Sequence, residues 1–300
     1  MQEASEKSLH LPMQRPCTTE KQAGKRTSNR IFFGSMMTAR CYTFTHAIVR
    51  KPSAGIVDGL RAVDTGVPDL QRFQQDHAHY VSLLAATGAA VTVLEPLDDY
   101  PDSVFVEDAA LCLPEVAIAM RPGAPSRVGE AAVMAPVLAE FYGKVIAIDG
   151  PGFIDGGDIL VTEKEILVGR SARTDAAGIA ELARITSRRD YQVRQVETPA
   201  GVLHFKTDCS VMDEETVLAT ARLSDTGCFD GYRVINTADG EDAAANAIRF
   251  NELVLMPAGF PQTAERLSAA GYDVREVGNT EAAKLDGGMS CLSLRFSPPA

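Results

Sequence analysis

Apolar and polar positions along the 300-residue chain fall into a recurring order. Residues 43–50 read as an apolar strand, and a loop with Pro52, Gly55 and Gly59 follows. Over residues 69–87, Leu70, Phe73, His77, Tyr80, Leu83 and Leu84 keep helical spacing, and Gly88 stops the run. Residues 91–94 read as a short buried strand. The next stretch predicts a strand over 109–113, a turn at Pro114-Glu115, a strand over 116–120, a loop, a helix over 130–142 and a strand over 144–148. The same order returns as strands over 159–161 and 166–168, a helix over 176–186 and a strand over 191–196. A third copy starts with strands over 210–212 and 217–219. A fourth runs through strands over 247–250 and 253–256, a helix ending at Gly271, and a strand over 272–277. At the end, Leu292, Leu294 and Phe296 alternate with Ser293 and Arg295, the period of a strand with one buried face.

The unit is therefore strand, turn, strand, loop, helix, strand, with a period of roughly forty residues, the mark of repeat architectures. Copies set around an axis bring their loops to one mouth. An ordinary α/β sheet with irregular connections is the alternative. Residues 1–38 break the pattern. They are polar, lack the apolar run of a signal peptide, and are expected to be a disordered extension before a start near Met36 or Met37. Residues 39–300 are expected to form one catalytic domain.

Composition narrows the function. The net charge is −11, against the basic surface that nucleic-acid binding needs. No stretch has the length of an apolar membrane span. The cysteines at 17, 41, 112, 209, 228 and 291 are widely spaced and form no CxxC pair, which argues against a zinc knuckle. A reduced, cytoplasmic setting is the default for such a chain.

Four constellations carry candidate chemistry. In Pro101-Asp-Ser-Val-Phe-Val-Glu-Asp108, an extended segment would set Asp102, Val104, Val106 and Asp108 on one face and Ser103, Phe105 and Glu107 on the other. Carboxylates among apolar strand formers call for a cationic partner. Gly152-Phe-Ile-Asp-Gly-Gly-Asp158 places Asp155 before two glycines. His204 lies in Val202-Leu-His-Phe-Lys206 at a strand edge, whereas His77 and His79 have solvent-type helical spacing. Arg127 and Arg173 stand in equivalent loops of two repeats, where two guanidinium forks could clamp a carboxylate. Cys291, after Gly287-Gly288 and before the last strand, is a candidate nucleophile.

Phe105-Val-Glu-Asp, Asp155-Gly-Gly-Asp, Ser171-Ala-Arg-Thr, Leu203-His-Phe-Lys and Asp286-Gly-Gly-Met-Ser-Cys occur in this order. Together they resemble the bacterial dimethylarginine dimethylaminohydrolases of the guanidine-modifying pentein superfamily, over about residues 43–296. The resemblance implies a five-bladed α/β propeller of ββαβ units. It implies hydrolysis of Nω-methylated arginine to citrulline and a methylated amine, with no metal and no organic cofactor. Cys291 would be the nucleophile, His204 the general acid and base, and Asp155 the third catalytic residue, where bacterial relatives often carry glutamate. Asp108 would hold the guanidinium, supported by Glu107. Asp102 and the Leu60 carbonyl would take the α-amino group, Arg127 and Arg173 the α-carboxylate, and Phe105 would pack on the substrate, with Asp286 also in the binding set. The partner would be a small cationic amino acid, and a homodimer is left open. Arginine deiminase, an amidinotransferase and a non-catalytic propeller binding protein are the alternatives. One electrostatic expectation follows. Carboxylates around an empty site raise the Cys291 pKa, and a bound cation offsets them.

Overall fold

The computed structural model describes residues 41–299. The expected disordered extension over residues 1–38 lies outside them. The first strand β1 (His46–Arg50) is followed by α1 (Leu70–Ala86) and β2 (Ala90–Leu94). Next come β3 (Ala110–Leu113), β4 (Val116–Ala119), α2 (Val128–Tyr142) and β5 (Val145–Ala147). The order recurs as β6 (Ile159–Val161), β7 (Ile166–Arg170), α3 (Ala176–Thr186) and β8 (Val193–Glu197). It recurs again as β9 (Cys209–Val211), β10 (Thr216–Ala219), α4 (Ala221–Ser224) and β11 (Arg233–Asn236). The chain continues through β12 (Ile248–Phe250), β13 (Leu253–Pro257), α5 (Pro261–Ala269), β14 (Asp273–Val277), α6 (Thr280–Ala283) and β15 (Leu294–Phe296).

These strands make five three-stranded sheets. In each, an antiparallel pair is followed by a helix that crosses over to a parallel third strand. The sheet that holds β1 and β2 takes its remaining strand from the far end of the chain. There β15 pairs antiparallel with β1, in the register His46↔Phe296 and Ile48↔Leu294. The result is a five-fold pseudo-symmetric α/β propeller of ββαβ units, closed by the two ends of the described chain.

Burial explains the strand pattern. The middle strands are covered on both faces, so β4, β10 and β13 are buried throughout and read as unbroken apolar runs. The third strands lie at the outer edge. That corrects the expectation of a buried strand at residues 91–94, since β2 is half exposed. Helix α1 starts as its sequence predicts, with the Asp69 carboxylate accepting from Arg72 N at 3.0 Å. Its inward stripe is Phe73, His77, Tyr80 and Leu84, so His77 belongs to the core face and not to solvent. Tyr80 OH reaches Met289 O at 2.9 Å and Ser293 Oγ at 2.6 Å, which anchors α1 to the segment around Cys291. The third repeat keeps its helix and outer strand as the short α4 and β11, which no periodicity announced. Among the described residues, no helix is long and apolar enough to cross a membrane.

Candidate active site

Each sheet's innermost strand is preceded by a single 3-10 turn. These turns are Val106–Ala109 before β3, Gly156–Asp158 before β6, Phe205–Thr207 before β9, Asp242–Ala245 before β12 and Ser290–Leu292 before β15. Tight turns leave backbone N–H groups unpaired, and side chains from neighbouring turns accept them. Asp108 Oδ1 accepts from Gly157 N at 2.8 Å, and Asp158 Oδ1 from Phe205 N at 2.8 Å. Asn246 Oδ1, just after the fourth turn, accepts from Ser290 N at 3.0 Å. A belt of side-chain-to-backbone bonds therefore joins consecutive blades and fixes the groups at the mouth.

This arrangement corrects two local expectations. Residues 102–108 are not an extended segment with two faces; they run through turns into the first 3-10 turn, and all are buried. His204 is not on a strand edge but immediately precedes the third turn.

Leu60, Asp102, Phe105, Asp108, Arg127, Arg173, His204, Asp286 and Cys291 line one cavity. Leu203 and Leu285 add apolar wall. Asp155 stands directly behind His204, with its Oδ2 2.9 Å from His204 Nε2. Its Oδ1 accepts from Gly123 N at 2.7 Å, and the carboxylate is fully buried. The aspartate arm therefore reaches the imidazole. Burial alone would lower the His204 pKa, but the charges of Asp108, Asp155 and Asp158 raise it to about 9. Burial raises the Cys291 pKa to about 11, helped by Glu107 and Asp108. Asp108 is itself buried, yet facing His204 and Arg127 it is held down at about 2. At neutral pH the cavity therefore holds a thiol and an imidazolium. Asp108, Asp155 and His204 have side-chain atoms within 4.8 Å of one another, two carboxylates around one imidazolium.

Three of the expected site residues are also held by groups of the protein itself. Arg127 is buried and pairs with Asp108 and with Glu130, the latter at 2.7 Å. It also donates to the carbonyls of Asp102 and Phe105. The 3-10 turn that ends at Arg127 aims it inward at these acceptors, so most of its donors are spent inside the protein. Arg173 is more open, 18% exposed, with Nη1 3.8 Å from Asp155 Oδ2. The two guanidiniums are therefore not an equivalent carboxylate clamp.

Glu107 does not line the cavity. The 3-10 turn rotates it away from Asp108, toward a second cavity on the other side, where its Oε1 meets Lys206 Nζ at 2.6 Å and Arg295 Nη2 at 2.8 Å. The sequence showed Lys206 only as part of a motif and Arg295 as an outward strand position. Asp286 is the third. It has φ 59°, in the left-handed region, and its Oδ2 accepts from Ala62 N at 2.6 Å. With Asp102 Oδ1 accepting from Leu60 N at 3.0 Å, it straps the loop that carries Leu60 over the cavity. Asn246, which touches Cys291, was missed altogether; it sits in an alanine-rich run with no periodic signal.

The family model described as arginine deiminase matches residues 96–255. The N(G),N(G)-dimethylarginine dimethylaminohydrolase of Pseudomonas aeruginosa is 39% identical over 254 residues, spanning 84% of this chain and 100% of that protein. A solved structure of the P. aeruginosa enzyme, a cysteine-to-serine mutant complexed with citrulline, superposes with a TM-score of 0.82 at 38% identity, over 85% of this chain and 100% of that one. A structure of a dimethylarginine dimethylaminohydrolase histidine-to-glycine variant, an adduct with S-methyl-L-thiocitrulline, also gives 0.82 at 38% identity, over 84% and 100%.

Proposed function

The chain belongs to the dimethylarginine dimethylaminohydrolase family, and on that premise we propose how its residues hydrolyse Nω-methylated arginine to citrulline and methylated amine. The observation that carries the reading is the shared cavity. It holds the Cys291 thiol and an imidazole bonded to a buried carboxylate, together with Asp102 and Asp108.

The substrate guanidinium is a planar cation, and Asp108 offers it a carboxylate in the cavity, while Asp155 stays behind His204 and holds the imidazole. The ordered loop carrying Leu60, with Asp102 beside it, would take the α-amino group, and Arg173 would take the α-carboxylate. Arg127 acts from behind by holding Asp108, Phe105 and the 102–105 backbone in place. With the cation seated, the Cys291 thiol gives up its proton to solvent, and the thiolate attacks the guanidinium carbon and forms a C–S bond. The C–N bond to the methylated nitrogen then breaks, and the departing amine takes its proton from His204. Neutral His204 next removes a proton from water, which attacks the thiouronium carbon. The C–S bond breaks, its electron pair returns to sulfur, the hydroxyl proton is lost to solvent, and citrulline leaves. The small cationic amino acid is the only partner this scheme requires. A homodimer is compatible with it.

The test is turnover of asymmetric dimethylarginine and of arginine by the purified protein, following citrulline and the released amine. Citrulline and dimethylamine in equal amounts, abolished by Cys291→Ser, are expected. Citrulline with ammonia from arginine as the faster reaction would make the protein a deiminase instead. Turnover that survives Cys291→Ser would remove the nucleophile.

A further inference from the structure

We infer that Asn246 is the positioning residue of the nucleophile, holding the turn that carries Cys291 and aiming a neutral N–H donor at its sulfur. The inference rests on the reading of Cys291 as nucleophile. Asn246 is 6% exposed and lies between the fourth 3-10 turn and β12. It engages three consecutive residues. Its main-chain carbonyl accepts from Met289 N at 3.1 Å, its Oδ1 accepts from Ser290 N at 3.0 Å, and its Nδ2 lies 3.8 Å from Cys291 Sγ.

The fit leaves little freedom. The Gly288 backbone presses on the Asn246 side chain so closely that a Cβ there would lie 2.2 Å from Cγ. With Oδ1 committed to Ser290 N–H, the NH2 group must face the sulfur. Asparagine is suited to this place because one short side chain supplies both an acceptor and an uncharged donor. Aspartate would keep the acceptor, lose the donor and add an anion. Glutamine is longer than the space that Gly288 leaves.

The sulfur needs such a donor because of its surroundings. The charges of Glu107 and Asp108 on the first turn act on it, Glu107 from outside the cavity, and Asp286 shares its cavity. On the cationic side, His204, Arg127 and Arg173 line the same cavity. The Gly288 N–H also bonds the sulfur, and both donors favour the thiolate. The donor acts twice in the reaction: when the thiolate forms, and when the breaking C–S bond returns its electron pair to sulfur. In the first step it assists attack, and in the second it assists departure.

The experiment measures alkylation of Cys291 by iodoacetamide across pH in the full chain. The Cys291 peptide is read by mass spectrometry, so turnover is not needed. Asn246→Ser and Asn246→Asp are compared with the parent, and folding is checked by circular dichroism. Asn246→Asp is nearly isosteric and keeps the bond to Ser290 N, so it serves if the serine variant fails to fold. Both variants should shift the alkylation midpoint upward by about one pH unit, roughly a tenfold slower reaction at fixed pH below it, with aspartate shifting further. Folded variants that melt earlier but follow the parent's pH curve would reduce Asn246 to a structural residue and overturn the inference. So would a shift confined to aspartate with serine on the parent's curve, since that traces to the added charge. A parent that makes no citrulline while the variants still shift would sink the proposed reaction and leave the positioning role standing.

Discussion

At Cys291 the protein holds a proton that the reaction must remove. Burial, Glu107 and Asp108 together push the thiol up to about 11, so the empty enzyme is not a resting thiolate–imidazolium pair. A guanidinium cation seated on Asp108 reverses part of that field. Thiolate absorbance should therefore appear only above about pH 9 in the free enzyme and shift to lower pH with a cationic guanidinium ligand, while citrulline, which is neutral at that group, leaves it in place. A thiolate already formed at pH 7 without ligand would remove the argument. His204 has the complementary need, a proton to give, and Asp155 helps to keep it there at 2.9 Å. Asp155→Asn removes the charge while keeping the shape. The His204 pKa should fall from about 9, the basic limb of the pH–rate profile should move with it, and kcat should drop by ~10²–10⁴-fold. Unchanged kcat in the folded variant would show that Asp155 only fills space.

At the level of elements, what could be read from the sequence depended on period. Helix α1 was legible within a residue of each end, because a stripe from Leu70 to Leu84 and the stop at Gly88 write a helix directly. The 3-10 turns that carry the chemistry were not legible, since three or four residues show no period. That is why residues 102–108 looked extended and why Asn246 left no sign. Arg127 misled for a related reason. Its position in the loop could be read, but not whether its guanidinium turns to solvent or to Asp108 and Glu130. One turn offers a direct test. A Cβ on Gly157 would lie 2.7 Å from His204 Nδ1 and 2.8 Å from Asp108 Oδ1, both held groups with little room to yield. Gly157→Ala should lower kcat/KM by ~10²-fold through misplacement, with a stability loss of only about 1–3 kcal/mol by denaturant titration. Full activity in that variant would mean the two side chains move freely. Helix α1 carries another prediction. Burial lowers the His77 pKa to about 4, below its unfolded value, so the unfolded chain takes the proton first. Stability is then complete above pH 6.5 and is lost as pH falls toward 4, by about 3 kcal/mol on full protonation. In urea titrations at pH 7 and pH 4.5, His77→Leu should lose less between the two pH values than the parent. An equal loss would place the acid sensitivity elsewhere.

For the whole molecule, the forty-residue period exposed the blades, and the alternation after Cys291 exposed a last strand. What no local pattern could tell is where that strand pairs, because β15 meets β1 across almost the entire described chain. The pairing explains how a nucleophile near the C-terminal end is fixed. The turn of Cys291 is followed immediately by β15, so the strand that closes the ring also sets the sulfur. Phe296 is the clasp. It is 1% exposed and packs on His46 of β1 with ring centroids 5.6 Å apart, and on Phe141 and Tyr142 of α2 at 5.2 and 5.6 Å. One side chain thus joins the closing sheet to the helix of the next blade. Phe296→Ala leaves a cavity at that junction and should cost about 3–5 kcal/mol. If closure holds the ring as a unit, unfolding should remain one transition at lower denaturant, and citrulline formation should be lost along the same curve as the circular dichroism signal. If closure were only local, the variant would instead fray at β15. Activity would then vanish well before the bulk of the fold, and the two curves would separate.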